Sequence, residues 1–251
     1  GEKYYKAATE ILNIYNDFNN EITYINDLKK GRITIGITNF MGTYLLPILI
    51  PEFIKNYPNI EIYIKEENST ILETSLLDGN IDFAIMHRHP LKDNKDLYYD
   101  ILFRDPFVLV TKKGHPMSKF QIKDNENIYP KIDLGLFKDE KFIMVDINKR
   151  IRQVTDIIFN LAGINPNIAL TIKNHETARR LASIGFGVML MPLHYVKIFG
   201  EFYDADYYLI NDNNYAYWDT CIVKNPNMYL SKASEVFINM VHEYFEYGKP
   251  I

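Results

Sequence analysis

A chain of 251 residues that is 47% hydrophobic and 24% charged has an ordinary globular composition, and it is long enough to bury a large core without staples. Its single cysteine, Cys221, excludes an internal disulfide framework and fits a reducing compartment. With 28 basic against 32 acidic residues the formal net charge is −4, and only seven of the 28 are arginines, so a phosphate-reading surface is not expected on this chain itself. No apolar run approaches the roughly 20 residues of a membrane span. The N-terminal stretch is polar and periodic rather than a basic tip with an apolar block. A cytoplasmic location with no membrane partner is the expectation.

Residues 2–29 form the most regular stretch. Tyr4, Ala8, Ile11, Tyr15, Phe18, Ile22 and Ile25 recur at alternating spacings of four and three, with polar residues between them. That is a heptad seam. A helix of this length spans about 40 Å, more than a compact domain needs, and Gly31 stops it. It either packs on its own domain or pairs with a second chain.

Beyond Gly31 the period changes. Arg32–Thr38 alternates as a strand, Thr43–Tyr57 reads as a helix closed by Pro58, and Ile60–Lys65 alternates again. Ser69 and Thr70 with Glu73 have capping-box spacing before a helix over Ile71–Leu77, which Asp78-Gly79 ends. Ile81–Met86 is an apolar strand. Strand–helix–strand–helix–strand implies a parallel sheet with right-handed crossovers. Leu97–Phe103 and Phe107–Thr111 read as two further strands before a turn-rich break at Lys112–Pro116. A second α/β run follows: strand Phe142–Asp146, helix Arg150–Ala162, strand Ile168–Ile172, helix Glu176–Ile184 and strand Gly187–Met191. Tyr207–Ile210 and Tyr217–Val223 complete the strands, and Ser231 caps a last amphipathic helix to Tyr247.

Catalytic patterns do not emerge. The chain has no G-x-S-x-G, P-loop or G-x-G-x-x-G. His87 and His89 are two apart at a strand end and point to opposite faces, without a cysteine or carboxylate cluster beside them, so no metal is expected. Cys221 lies in an apolar strand and reads as a buried thiol. Neither a catalytic residue nor a cofactor is expected.

Sites for holding a ligand are better supported. In open parallel sheets, ligands bind outside the carboxyl ends of strands. Applied here, the rule selects Thr38-Asn39, Asn68-Ser69 and Met86-His87 in the first half. In the second half it selects Asp146–Arg152, Asn174-His175 and Met191. Hydroxyl and amide side chains at helix starts sit beside unpaired backbone N–H groups, a cradle for a carboxylate or other anion. Each could equally be a simple cap. Their convergence on one edge of two sheets facing across a cleft singles out Thr38, Asn39, Ser69, His87, Asn148, Arg150, Arg152 and Asn174 as ligand contacts.

In chain order, GEKYYKAATEIL, GRITIGIT, YLLPILIPEFIKNYPNIEI and LLDGNIDFAIM resemble the linker helix and effector-binding domain of LysR-type transcriptional regulators. PFVLVTKKGHPMSK resembles that family's crossing into its second subdomain. LAGINPNIALTIKNHETARRLASIGFGVMLMP resembles the stretch after the cleft loop, including a glycine-bounded strand that ends in proline. The likeness runs from Gly1 to about Tyr247; each motif is weak, but their order and spacing are specific. It implies two Rossmann-like α/β subdomains of the periplasmic-binding-protein type, joined by two crossover strands and preceded by a long linker helix. The implied divisions are a linker and dimerisation helix over 1–30, subdomain I over 31–111 plus 221–251, and subdomain II over 112–220.

The resemblance also implies a function: a sensor that binds a small metabolite, expected to be anionic, between the subdomains and does no covalent chemistry. Thr38 falls where the family commonly places a hydroxyl that contacts the effector, and Ser69 falls on a second pocket-lining loop. The loop Asn148–Arg152 departs from the family's Gly-, Ser- and Thr-rich pattern, which points to direct arginine contacts, or else to a solvated first helical turn. The implied partners are a small-molecule effector, further copies in a homodimer or tetramer through the linker helix and effector domains, and DNA only through a winged helix-turn-helix that this chain lacks. The chain then corresponds to the sensor portion of a longer regulator. Two alternatives remain. A transporter's solute-binding protein would need an export signal and has no use for a heptad helix. A small enzyme on the same two-lobed fold would need a catalytic group in the cleft.

Overall fold

The computed structural model describes residues 1–24, 28, 30–123, 127–200, 203–210 and 216–247. In chain order the elements are α1 (Glu2–Tyr24), β1 (Gly31–Ile37), α2 (Asn39–Asn56), β2 (Ile60–Glu66), α3 (Ser69–Leu77), β3 (Phe83–His87) and β4 (Tyr98–Lys112). They continue as β5 (Lys131–Ile132), β6 (Lys141–Val145), α4 (Arg150–Leu161), β7 (Asn167–Ile172), α5 (His175–Ser183) and β8 (Met189–Pro192). The last are α6 (Leu193–Phe199), β9 (Ala205–Ile210), β10 (Tyr217–Lys224) and α7 (Lys232–Tyr247). The chain divides into two units. The first holds residues 1–88, 92–103 and 220–251, and the second holds 89–91 and 104–219. The passages from one to the other fall inside β4 and β10.

In the first unit β1 pairs in parallel with both β2 and β3, and β10 adds antiparallel to β3. Parallel neighbours need a crossover, which α2 and α3 supply. Alternation in β1 turns Ile33, Ile35 and Ile37 to one face. There they meet a stripe of fully buried residues at four-residue spacing on α2 (Met41, Leu45, Leu49 and Phe53) together with Phe237 and Val241 of α7. The Phe237 ring lies 5.2 Å from Phe53 and 5.9 Å from Phe83. Each such side chain contributes about 1.5–3 kcal/mol. The opposite face is covered by Leu72 and Leu76 of α3, which pack with Ala84, Met86 and the fully buried Cys221.

In the second unit β4 is central, antiparallel to β8 on one side and β9 on the other, with β5 parallel to β9. A separate parallel pair, β6 and β7, is joined by α4. The Phe142 and Phe159 rings meet edge to face at 4.8 Å.

Several boundaries differ from the sequence expectation, for physical reasons. α2 begins at Asn39, not Thr43. Gly42 lies inside the helix, where an added Cβ would stand only 3.3 Å from Ile37 Cγ2. α3 is capped by Asn68, whose Oδ1 accepts the Ile71 N–H at 3.0 Å, so Ser69 is not the cap. The two strands expected on either side of Arg104-Asp105-Pro106 are one, because Pro106 fits extended backbone where no ladder N–H is needed. α6 was not foreseen, since LHYVKIF carries no helical periodicity after Pro192. Ser231 does cap α7, accepting the Ser234 N–H at 3.1 Å. Ile25 and the continuation of α1 over 25–27 and 29 lie outside the described residues.

Gly187 is held by a close approach of backbone. A Cβ there would stand 2.6 Å from the Lys141 carbonyl oxygen, which already accepts the Val188 N–H at 2.8 Å. Gly187→Ala should therefore destabilise the chain by about 1–3 kcal/mol, the usual range for overpacking. Urea unfolding measures it, and an unchanged midpoint would refute the contact.

Candidate functional site

Parallel pairing brings the ends of β1, β2 and β3 to one edge of the first unit. The Glu67 N–H donates to the Ile37 carbonyl at 3.1 Å and the Thr38 N–H to the Ile85 carbonyl at 3.3 Å, so the starts of α2 and α3 lie side by side. Thr38 occupies the N-cap position of α2 but its side chain makes no cap bond, and its buried Oγ1 has no hydrogen-bond partner among the described residues. The Ser69 Oγ is in the same state, in a residue only 1% exposed. Simple capping therefore explains neither hydroxyl. Beside them the first N–H groups of two helices lack intrahelical acceptors.

The other polar groups of this edge are engaged. Asn39 is exposed, and its Nδ2 donates to Glu66 Oε2 at 3.4 Å. Lys65 Nζ donates to Ser75 Oγ at 2.8 Å, and Arg88 forms a two-pronged pair with Asp93. His87 is buried, with Nδ1 3.2 Å from the Thr220 hydroxyl on β10.

The second unit repeats the arrangement with different chemistry. β6 and β7 end together, the Asp146 N–H donating to the Ile172 carbonyl at 3.1 Å. Asn148 folds back on Asp146, donating from its backbone N–H and its Nδ2 to Oδ1 at 3.0 and 3.1 Å. Arg150 opens α4, is 8% exposed, and donates from Nη1 to Gln153 Oε1 at 2.8 Å. Arg152 pairs with Asp156 at 2.8 Å and donates to the Val145 carbonyl at 3.3 Å. Neither arginine is a solvated first-turn residue. Asn174 is a true cap, its Oδ1 accepting the N–H groups of Glu176 and Thr177 at 2.9 and 3.2 Å. Next to it lies His175, which the strand-end rule selected together with Asn174 but which was not among the eight expected ligand contacts; its ring lies against Tyr195 at 4.9 Å. Burial, then Lys149 and Arg179, push His175 down to about 4, so it is neutral near pH 7. Four of the eight residues expected to touch a ligand thus share one edge of each unit.

The LysR substrate binding domain family model matches residues 26–246. A probable RuBisCO transcriptional regulator of Trieres chinensis is 28% identical over 222 residues, which cover 86% of this chain and 69% of that protein. Among solved structures, the effector binding domain of QuiR in complex with shikimate matches with a TM-score of 0.69 at 21% identity, over 88% of this chain and 99% of that one. The Synechocystis PCC6803 CcmR regulatory domain in complex with 2-PG matches with a TM-score of 0.71 at 19% identity, over 86% and 98%. The shared fold is the mixed α/β, periplasmic-binding-protein-like one.

A further group in the second unit carried no sequence signal. Asp105 is 3% exposed, and its carboxylate accepts the His194 N–H at 2.9 Å and the Trp218 indole N–H at 3.3 Å. Burial raises its carboxyl to about 7, against the lowering effect of those two donors and of Lys197. The folded chain therefore binds this proton more tightly than the unfolded chain. Asp105 contributes stability at low pH that is lost as pH rises from about 4 to about 7 and is constant above. His175 and His194, both lowered to about 4, act in the opposite sense as pH falls. Comparing the wild type with Asp105→Asn at each pH isolates the acid. The difference should fall by on the order of 3 kcal/mol across that window in urea unfolding, and a flat difference would refute the assignment.

Proposed function

Because this chain belongs to the LysR substrate-binding-domain family, we propose that it is a metabolite sensor whose ligand is a small anion, held at the edge where β1 and β2 pass into α2 and α3. The buried, unpartnered hydroxyls of Thr38 and Ser69 carry this proposal. A buried polar group left unsatisfied costs about 1–3 kcal/mol, and a carboxylate or phosphate oxygen placed between two helix starts would accept from both. Two neighbours of the same fold are described with small ligands, shikimate and 2-PG, and their classes define the first compounds to screen. His87 and Asn39 lie at the same edge of the first unit and belong to this proposed site, while Asn148, Arg150, Arg152 and Asn174 are the proposed ligand contacts of the second unit's own edge. Arg152 and Asn174 act chiefly by fixing backbone N–H groups and loop shape.

The ligand is sensed and not transformed, in keeping with relatives named as transcriptional regulators. DNA contact belongs to the portion of such regulators that this chain does not span, which accords with its charge of −4. Copies pair through α1, where Tyr4, Ile11, Tyr15 and Phe18 are 58–82% exposed along the heptad seam.

Two experiments test this. Thr38→Val and Ser69→Ala remove orphan hydroxyls, so each should leave the ligand-free chain as stable as before or slightly more so. Each should nonetheless weaken binding of a carboxylate or phosphate ligand roughly tenfold or more in calorimetric titration. A loss of stability with unchanged affinity would mean that the hydroxyls are structural. For assembly, sedimentation at tens of micromolar should show a dimer or larger species that Ile11→Lys converts to monomer. A monomeric wild type would overturn the seam assignment.

A further inference from the structure

The helix α1 has two unlike faces. Its apolar seam is exposed, whereas Asn13, Asn16 and Asp17 are half-buried against the first unit. At 3.6 residues per turn, Asn13 lies roughly opposite Tyr4, Ile11 and Tyr15. The docked face is polar. Asn13 Nδ2 donates to the Asp78 carbonyl at 3.1 Å, and a small cavity of about 60 Å³ beneath the helix is lined by Asn13, Asn16, Asp17, Arg32 and Asp82.

Gly79 fixes this contact. Its φ of +68° is the left-handed conformation that ends α3, and an added Cβ would stand 2.5 Å from Asn13 Nδ2 and 2.8 Å from Met228 Cε. Glycine suits the left-handed backbone, and its lack of a Cβ leaves the space in which the Asn13 amide rests. The contact also sits directly beyond the C-terminus of α3, the helix that begins with Ser69. A nine-residue helix is a rigid rod of about 13 Å.

We infer that α1 is latched to the first unit by Asn13 seated on Gly79, and that α3 couples the latch to Ser69 at its other end. The latch keeps the seam facing away from the unit, so a change at the start of α3 resets the helix through which copies pair. The regulatory consequence rests on Ser69 being a ligand contact; the latch and its coupling to α3 do not.

Hydrogen exchange of the full 251-residue chain tests this, followed by mass spectrometry and repeated in an Ile11→Lys background so that pairing of copies adds no protection. Asn13→Ala removes the donor. Gly79→Asn keeps a residue that tolerates the left-handed backbone but places a Cβ against Asn13. In both, exchange over residues 2–24 should rise about fivefold or more, while β1 and β3 keep their protection. Ser69→Val, or the smaller Ser69→Thr, crowds the buried start of α3 without touching the latch, and it too should raise exchange in α1. Unchanged exchange in both latch variants overturns the latch. A rise in those but none in either Ser69 variant overturns the coupling. Failure of the ligand proposal would appear only in the titrations of Thr38→Val and Ser69→Ala, and failure of the seam only in sedimentation.

Discussion

Parallel pairing of β1 with a neighbour on each side dictates most of what the first unit can do. A strand flanked by two parallel partners must be reached through crossover helices, so α2 and α3 begin at the same edge. The pairing also sets their spacing, because the ladder continues one bond past each strand through the N–H groups of Glu67 and Thr38. Two helix starts with their unpaired N–H groups, and two hydroxyls that cap nothing, are held together by backbone geometry alone. Folding places those hydroxyls out of water at a cost, and no described protein group offsets it. A buried polar group in this condition calls for a specific explanation, an ordered water or a bound ion among them.

The second unit follows the same geometric rule with the opposite chemical outcome. At the ends of β6 and β7 the polar groups are already matched: Asn174 caps α5, Asn148 closes a turn on Asp146, and Arg152 is committed to Asp156 and the Val145 carbonyl. This edge is preorganised, while the first is unsatisfied. His175 beside Asn174 is held neutral near pH 7 by burial, and so is His194 at the start of α6.

The sequence revealed the elements that have one dominant periodicity. The change of period at Gly31, the alternating β1 and β2, the apolar β3 and the capped α7 all stand near their expected places. What stayed hidden depends on contacts between residues far apart in the chain. The first turn of α2, Asn39–Gly42, carries no periodic signal of its own, and Gly42 is crowded by Ile37 and Glu66. Asn68 and Ser69 are both good capping residues, and only the fold decides which one caps and which is left over. Asp105 reads as one acid in a polar triplet, and its burial depends on a helix start 89 residues away and an indole 113 away. Arg150 and Arg152 read either as direct ligand contacts or as a solvated first turn, and only the fold shows that Gln153, Asp156 and the Val145 carbonyl engage them.

Magnitudes decide how α1 can behave as a connector. Covering Tyr4, Ile11, Tyr15 and Phe18 would stabilise a pairing of copies by about 1.5–3 kcal/mol for each fully buried side chain, so the proposed pairing would rest chiefly on the seam. The docked face rests on a side-chain hydrogen bond worth about 1 kcal/mol net and on polar groups around a small cavity. Because the two faces are opposite, pairing does not compete with docking, and a copy can be engaged on one side while the latch opens or closes on the other. Coupling between sites in regulatory proteins is typically 1–3 kcal/mol. A latch much stronger than that could not be moved by a ligand, and one much weaker would not hold the helix against thermal motion. Asn13 on Gly79 falls within that range, which is what a switchable contact requires.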